Sequence, residues 1–288
     1  MTMQTTSRSE PFGPDDEAIA ALQRDGAVVL RRVVPMEWVE RMRAAIEVEL
    51  AGNSPTSSEY GRQAGRFYGD FFLWLHNPEF RAFAFDSPLP ALASQLMGSA
   101  RVNLFYDQLF VKEPGSVEPT PWHQDLPYWP VAGRQIVSIW TPFDRATPDN
   151  GVVTYVRGSH LWGRTFKPKA FDNNNAGAFA ASPYETIPNI DDERDRHEFI
   201  SWSLDPGDVL VHLGLTIHGA AGNPTTDQRR RALAVRYTGD DACYDPRPGT
   251  FMNMEQVRAS VPAPGLEPGA PMGGPLFPPV WPVAVARS

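Results

Sequence analysis

From residue 101 onward, short segments of strand-forming residues dominate the chain, and this feature limits its fold more than any other. Glycine, proline, asparagine and aspartate, which favour turns, separate these segments. Many short strands at close spacing are typical of a sandwich or barrel, and they disfavour a parallel sheet alternating with helices. The predicted strands are 101–112, 121–126, 134–143, 151–156, 198–204, 208–213, 216–220 and 230–238.

The residues before 101 have a different pattern. Apolar residues recur every three or four positions in several segments, which predicts helices. These predicted helices are 15–24, 35–50, 77–84 and 88–97, and a short strand is predicted at 26–31. We therefore expect one domain over 15–245, with a helical N-terminal part at 15–100 and a β core at 101–240. The polar residues 1–14 are expected to form a flexible leader.

Two further segments lack a clear periodic pattern. Residues 160–197 form a long polar insert that contains the run Asp-Asn-Asn-Asn at 172–175. Loops of this length are often lids or binding loops, so we expect the insert to cover a site. Residues 246–288 are rich in proline and glycine and are expected to pack on the domain as irregular chain, with Phe277 and Trp281 docking on it.

Charge and cysteine content exclude several classes of protein. The formal net charge is −8, with 34 acidic and 26 basic residues, which gives no general attraction to nucleic acids or anionic membranes. The single cysteine, Cys243, cannot form an internal disulfide or a cysteine-rich zinc site. Since no run of about 18 apolar residues and no apolar signal core are present, we expect a cytoplasmic protein. No pattern indicates the oligomeric state.

A candidate metal site combines two distant motifs. His123 and Asp125 are separated by one residue, and residues two apart on a strand point to the same side. His218 lies in the sequence Leu-Thr-Ile-His-Gly at 215–219. Two imidazoles and one carboxylate can bind one face of Fe(II) and leave the other face open for chemistry. The interpretation is a metal site formed by His123, Asp125 and His218.

A candidate anion site follows on the last predicted strand. The strand alternates, so that Arg230 shares one face with Ala232 and Ala234. An arginine beside small residues on an inward face suits bidentate binding of a ligand carboxylate in a pocket. Arg229 falls on the opposite face unless a β-bulge reverses the register.

Several of these motifs occur in an order that closely resembles the phytanoyl-CoA dioxygenase-like family, over roughly residues 15–240. Members of this family are Fe(II)- and 2-oxoglutarate-dependent oxygenases. The motifs are His-Gln-Asp-Leu-Pro-Tyr-Trp-Pro at 123–130, Ile-Val-Ser-Ile-Trp-Thr-Pro-Phe at 136–143, Asp-Asn-Gly at 149–151, Gly-Ser-His at 158–160, Pro-Gly-Asp at 206–208, Ile-His-Gly at 217–219 and Arg-Arg-Ala at 230–232.

The resemblance implies a mainly β fold with flanking helices and a double-stranded β-helix core, the cupin-like jelly-roll. It also implies Fe(II) as cofactor, with 2-oxoglutarate and O2 as cosubstrates. Its motifs match the three candidate metal ligands to the iron ligands of the family. They match Arg230 to the arginine that binds the distal carboxylate of 2-oxoglutarate, and Trp140 and Gln108 to further cosubstrate contacts.

The chain departs from the family pattern at three places. Arg157 replaces a proline, and Ala220 replaces a serine that touches the cosubstrate in some members. The spacing from His218 to Arg230 is one residue longer than is common, which leaves Arg229 as an alternative. Tyr128 and Trp129 follow the metal motif directly, and since pockets for small molecules are rich in aromatic residues, both are candidates for the substrate pocket.

The function implied is hydroxylation of an unactivated C–H bond of a small-molecule substrate, with release of succinate and CO2. Related halogenases replace the metal-binding carboxylate with a small residue, so Asp125 favours hydroxylation, desaturation or ring formation over halogenation. Two alternatives remain open. One is a zinc-dependent hydrolase, because zinc accepts the same ligands. The other is a non-catalytic jelly-roll that binds metal.

Overall fold

The computed structural model describes residues 13–60, 65–170 and 177–282. Nearly all of the predicted leader 1–14, and the Asp-Asn-Asn-Asn run at 172–175 of the insert, lie outside these residues. The helices are α1 (Asp16–Asp25), α2 (Met36–Ala51), α3 (Pro78–Asp86), α4 (Leu89–Met97) and α5 (Glu255–Ser260). The strands are β1 (Ala27–Leu30), β2 (Ser58–Glu59), β3 (Phe67–Phe71), β4 (Val102–Lys112), β5 (Thr120–His123), β6 (Val131–Ala132), β7 (Ile136–Pro142), β8 (Val153–Val156), β9 (Phe199–Ile200), β10 (Val209–Leu213), β11 (His218–Ala220), β12 (Arg230–Thr238), β13 (Cys243–Tyr244) and β14 (Pro279–Trp281).

Two antiparallel sheets form the body of the fold. The larger sheet has the order β1-β10-β7-β12-β4-β3-β2, with β14 also paired to β4. The smaller sheet has the order β5-β11-β8-β9. The non-sequential order is that of a jelly-roll, which confirms the predicted mainly β fold with flanking helices.

All four helices predicted before residue 101 are present as α1 to α4. Their ends follow local capping chemistry. The side chain of Asp15 accepts a hydrogen bond from Ala18 N at the start of α1, a common N-cap arrangement. Gly26 ends α1 with φ of 83°, a left-handed conformation that favours glycine. The chain can then enter β1 directly.

The part predicted as helical also supplies strands to the larger sheet. β1 pairs with β10, and β3 pairs along β4 from Phe67 to Phe71. The β3 segment was not predicted as a strand, because it lacks the alternation of a half-buried strand and four of its five residues are buried. Residues 15–100 are therefore built into the larger sheet as well as packed on it.

The main hydrophobic core lies between the outer face of the larger sheet and the helices. Leu233, Val235 and Tyr237 of β12 belong to this core together with residues of α2, α3 and α4. This places the apolar face of β12 outward, as its alternation predicts. The other face of β12 is turned toward the smaller sheet, and the space between the sheets holds the candidate site.

The C-terminal segment is less irregular than predicted. Phe277 is fully buried in the main core, and β14 adds to the edge of the larger sheet beside β4. The segment also contains α5 and a short 3-10 turn at Phe251–Asn253. The high proline and glycine content therefore predicted irregular chain where β14 forms, because β14 pairs with β4, which is far away in the sequence.

The insert over 160–197 has few regular elements among its described residues, chiefly a 3-10 turn at Arg194–Arg196. Phe166, Phe179 and Ile190 are nevertheless buried, so the insert packs on the domain through its own apolar side chains. Within the described ranges, no helix has the length and apolar character needed to cross a membrane.

Candidate active site

The candidate metal ligands come from the smaller sheet and from the turn that follows its first strand. His123 ends β5, and His218 begins β11. The two residues face each other directly in the antiparallel pairing of these strands. This register explains how two histidines far apart in sequence lie side by side.

Asp125 does not lie on a strand, which corrects the predicted strand at 121–126. β5 ends at His123, and Asp125 adopts helical backbone angles at the start of the 3-10 turn Leu126–Tyr128. Leu126 N donates a hydrogen bond of 2.7 Å to Gly214 O, which anchors this turn to the loop before His218. The turn, and not strand alternation, brings the carboxylate beside the histidines.

The three side chains surround one common point. Asp125 Oδ1 is 3.5 Å from His123 Nε2 and 3.9 Å from His218 Nε2. One ligand atom from each residue can be chosen so that all three lie within 4.8 Å of one another, and all three residues are buried. This is the facial donor set of two imidazoles and one carboxylate that suits Fe(II).

The ring orientations of both histidines are set by their own backbone. His123 Nδ1 is 2.8 Å from Pro121 O, and His218 Nδ1 is 2.9 Å from Thr216 O. Since a carbonyl oxygen only accepts, each Nδ1 donates, and each Nε2 presents its lone pair to the shared point. Burial and the neighbouring histidines lower the pKa of His218 well below its usual range, which favours the neutral, metal-binding ring.

The second oxygen of Asp125 faces two other residues. His212 Nε2 lies 3.2 Å from Asp125 Oδ2, and Arg236 Nη2 lies 3.5 Å from the same atom. Burial alone would raise the pKa of Asp125, but Arg236 and the surrounding histidines hold this pKa well below its usual range. Asp125 is therefore an ionised carboxylate, as metal binding requires.

Sequence reasoning missed Arg236. The sequence does contain the pattern that would have indicated it. Side chains on a strand alternate between the two faces, so Arg236, six residues after Arg230, lies on the same face as Arg230. His212 lies on β10, where it pairs with Ser138 of β7. Its contact with Asp125 depends on the packing of the two sheets, which no local pattern reveals.

Arg230 lies in the same cavity as the candidate ligands, toward the start of β12. Its guanidinium is 5.5 Å from the ring centroid of Trp140, and Gln108 and Ala234 line the cavity nearby. Arg230 is only 3 % exposed, and its Nε has no hydrogen-bond partner among the described residues. Burial lowers its pKa to about 10. A desolvated cation of this kind fits a ligand carboxylate.

The neighbouring Arg229 lies outside the cavity. It donates hydrogen bonds to Glu113 and Glu47, at 2.7 and 2.6 Å. The irregularity in β12 falls between Arg236 and Tyr237, well beyond these residues. No bulge therefore reverses the register at Arg230, and Arg229 is not placed to meet a ligand in the cavity.

The rest of the cavity is mostly aromatic and apolar. It encloses about 940 Å³ of empty space, including its opening. Besides the residues above, its walls include Tyr60, Phe71, Val153, Phe179, Phe251 and Met254. Tyr60 and Phe71 come from the N-terminal part, Phe179 from the insert and the last two from the C-terminal segment, so these three parts enclose the space together with the β core.

Tyr128 and Trp129 both line this cavity, but they differ in their contacts. The Tyr128 ring lies edge-on to His123 and to Phe179, with centroids 5.8 and 5.1 Å away. Trp129 is fully buried, and its Nε1 donates a 2.7 Å hydrogen bond to Tyr106 Oη. Tyr128 therefore lies between His123 and the insert at the cavity wall, whereas the indole N–H of Trp129 is bound to Tyr106.

Comparison with known proteins agrees with this geometry. The phytanoyl-CoA dioxygenase family matches residues 22–232. The multifunctional dioxygenase prhA of Penicillium brasilianum is 26% identical over 231 residues, which cover 76% of this chain and 71% of prhA.

Two solved structures from nogalamycin biosynthesis have the same fold. One is SnoN, a non-haem alpha-ketoglutarate-dependent epimerase, with 24% identity, a TM-score of 0.71 and coverage of 92% of this chain and 98% of SnoN. The other is the carbocyclase SnoK, with 25% identity, a TM-score of 0.70 and coverage of 92% and 96%. SnoN has also been solved with Fe3+, alpha-ketoglutarate and nogalamycin RO.

The metal donor set, the buried Arg230 and the jelly-roll fold thus agree with the family match, which spans residues 22–232. This agreement sets aside the zinc hydrolase and the non-catalytic jelly-roll. The protein uses iron and 2-oxoglutarate, and it belongs to the phytanoyl-CoA dioxygenase family of 2-oxoglutarate-dependent non-haem iron oxygenases.

Proposed function

We propose that this enzyme hydroxylates an unactivated C–H bond of a largely apolar small molecule, with release of succinate and CO2. The observation that carries the proposal is that Arg230 and the group His123, Asp125 and His218 line one cavity, which also has a large apolar wall. One region of this cavity suits a dicarboxylate, and the other suits an organic substrate.

The chain's own residues have three tasks. His123, Asp125 and His218 hold the iron through Nε2, Oδ1 and Nε2. Arg230 binds the distal carboxylate of 2-oxoglutarate, with Trp140 and Gln108 beside it. When bound together, iron, 2-oxoglutarate and O2 supply the oxidising power that removes hydrogen from a C–H bond and replaces it with hydroxyl.

The aromatic wall positions the substrate and keeps water away from the metal. Tyr128, Phe179, Phe251 and Met254 offer apolar surface on the side of the cavity where a substrate would lie. Exclusion of water prevents side reactions of the oxidant. Lys169 and Phe179 of the insert contribute to this wall, so the described part of the insert covers the cavity as a lid. The ligands of SnoN support a small organic molecule as the substrate class.

Asp125 bears on the type of reaction. With iron bound, the carboxylate of Asp125 would take the metal position that a halide would need, so insertion of oxygen is favoured over halogenation. A relative is named a multifunctional dioxygenase, and SnoN and SnoK are an epimerase and a carbocyclase, so proteins similar to this chain have several reaction outcomes.

The test is succinate formation by the purified full chain with Fe(II), 2-oxoglutarate and O2, combined with mass spectrometry of apolar candidate substrates. We expect a product heavier by one oxygen atom, formed in proportion to the succinate produced above the rate without substrate. Unchanged succinate production after His218→Ala would rule out the proposed site. A product lacking two hydrogens, or a halogenated product, would rule out hydroxylation but not the site.

A further inference from the structure

We propose that His212 and Arg236 are positioning residues that hold one oxygen of Asp125, so that only the other oxygen reaches the metal. This inference rests on the metal site of the proposed function, but it does not depend on the substrate or on the reaction outcome. Neither residue belongs to the group of three that could hold the metal.

The two oxygens of Asp125 have different surroundings. Oδ1 faces the metal-binding Nε2 atoms of His123 and His218, at 3.5 and 3.9 Å. Oδ2 faces His212 Nε2 at 3.2 Å and Arg236 Nη2 at 3.5 Å. A rotation of the carboxylate that brought both oxygens to the metal would break both contacts at Oδ2. The arrangement therefore favours binding through one oxygen, which keeps further metal positions open for 2-oxoglutarate and O2.

The proton on His212 can be assigned from its two partners. An ionised carboxylate only accepts hydrogen bonds, so Nε2 of His212 must donate to Asp125 Oδ2. The other ring nitrogen, Nδ1, lies 3.3 Å from Tyr155 Oη. In a neutral ring this nitrogen accepts, so Tyr155 donates to it. Tyr155 thus fixes the tautomer that His212 needs to hold Asp125.

Arg236 is held in place by aromatic rings. Its guanidinium lies 4.5 Å from the ring centroid of Tyr106 and 5.7 Å from that of Trp129. These two rings are joined by the hydrogen bond from Trp129 Nε1 to Tyr106 Oη. Cations over aromatic faces are attracted to them, most strongly when they are desolvated. Arg236 is 3 % exposed, so the rings and Asp125 together set its position.

Residues that orient metal ligands typically change metal affinity by about 10- to 100-fold when they are removed. We therefore expect His212→Leu and Arg236→Met to weaken Co(II) binding to the full chain by about 10- to 100-fold. Co(II) is an oxygen-stable substitute for Fe(II), and its visible spectrum reports the number and arrangement of its ligands. We expect this spectrum to change in both variants, which a merely structural role would not cause.

Conservative variants test the same point more gently. His212→Gln and Arg236→Lys keep a donor near Oδ2 and should recover part of the affinity. Tyr155→Phe removes only one hydroxyl and should weaken binding less than His212→Leu, with a smaller spectral change. Arg229→Met is the matched control, because Arg229 lies on the same strand but points to Glu113 and Glu47 outside the cavity. It should leave Co(II) affinity and spectrum unchanged.

The proposal is wrong if folded His212→Leu and Arg236→Met proteins, as judged by circular dichroism, bind Co(II) with the affinity and spectrum of the unchanged chain. If either variant fails to fold, Tyr155→Phe and Arg236→Lys decide in its place, and unchanged binding by both would overturn the proposal. Absence of substrate oxidation with intact metal binding would contradict only the proposed function.

Discussion

Strand β12 places one arginine near each end in the same cavity, and the two arginines differ in what the chain supplies to them. Arg236 has a counter-ion within the protein, Asp125, at 3.5 Å. Arg230 is equally buried, yet among the described residues it forms no salt bridge, and the nearby Asp144 is bound instead by Arg231. A buried charge is costly without a partner. The difference indicates that Arg236 organises the protein, whereas Arg230 receives a ligand.

The largest effect should follow removal of Asp125, the counter-ion that Arg236 has and Arg230 lacks. Asp125→Ala should abolish metal binding and succinate formation, and it should leave Arg236 buried without a counter-ion. Loss of one partner of a buried ion pair costs about 3–5 kcal/mol of stability. His218→Ala should also abolish metal binding but keep the ion pair, so it should unfold at a higher denaturant concentration than Asp125→Ala. Equal stability of the two variants would contradict the pairing.

The next largest effect should be on 2-oxoglutarate binding, through Arg230 at the start of β12. Arg230→Met should raise the KM for 2-oxoglutarate about 100-fold, since hydrogen bonds to charged groups contribute about 1.5–3 kcal/mol each. Co(II) affinity measured without 2-oxoglutarate should stay the same, because Arg230 does not contact Asp125. Arg229→Met serves as control in steady-state assays of succinate formation. A larger rise in KM for Arg229→Met than for Arg230→Met would show that the strand register is wrong.

Asp107 is a second buried carboxylate, and its pKa is shifted in the direction opposite to that of Asp125. Asp107 accepts hydrogen bonds from Trp74 N but has no arginine partner among the described residues, and burial raises its pKa to about 7. Because the folded state holds this proton more tightly than the unfolded state, stability should fall as the pH rises from about 4 to about 7. Between pH 5 and 7 the loss should be about 2 kcal/mol.

Asp107→Asn should remove this part of the pH dependence, as measured by urea unfolding at each pH. Asp125→Asn should not act in the same way, since the pKa of Asp125 is held low and its carboxylate stays ionised across this range. An unchanged slope in Asp107→Asn would contradict the effect of burial on Asp107.

The smallest effect concerns the insert. Tyr128 Oη donates to Lys169 O and accepts from Lys169 N, both at 2.8 Å, which ties the insert to the residues beside the metal. Tyr128→Phe should cost about 1 kcal/mol and speed proteolysis of the insert, with little change in the KM for 2-oxoglutarate. Proteolysis at the unchanged rate would argue against the insert as a lid held by Tyr128.

Much of the site could be predicted from local pattern. The alternation of β12 places Arg230 inward and Arg229 outward, and the structure has both in these positions. The same period places Arg236 inward, although it was overlooked because its partner, Asp125, lies in another motif. The strand at 121–126 was wrong at its end, because the 3-10 turn at Asp125 is anchored by a hydrogen bond to Gly214, which is distant in the sequence.

Two strands that pair with β4 were also not predicted from local pattern. β3 is buried along most of its length and shows no alternation, and β14 lies in a segment rich in proline and glycine. Each is a strand because it pairs with β4. A short segment gains hydrogen bonds and burial only when its partner is present, so neither strand could be predicted from composition alone.

Residue types and their spacing along the chain specify the fold class, the donor types of the metal site and the inward face of β12. These depend on residue type and on periods of two or 3.6 residues, which act over short distances along the chain. The packing of the two sheets places one oxygen of Asp125 toward His123 and His218 and the other toward His212 and Arg236. It also left Arg230 without a counter-ion from the chain. Electrostatic partners are chosen by packing in three dimensions, and spacing along the chain does not encode them.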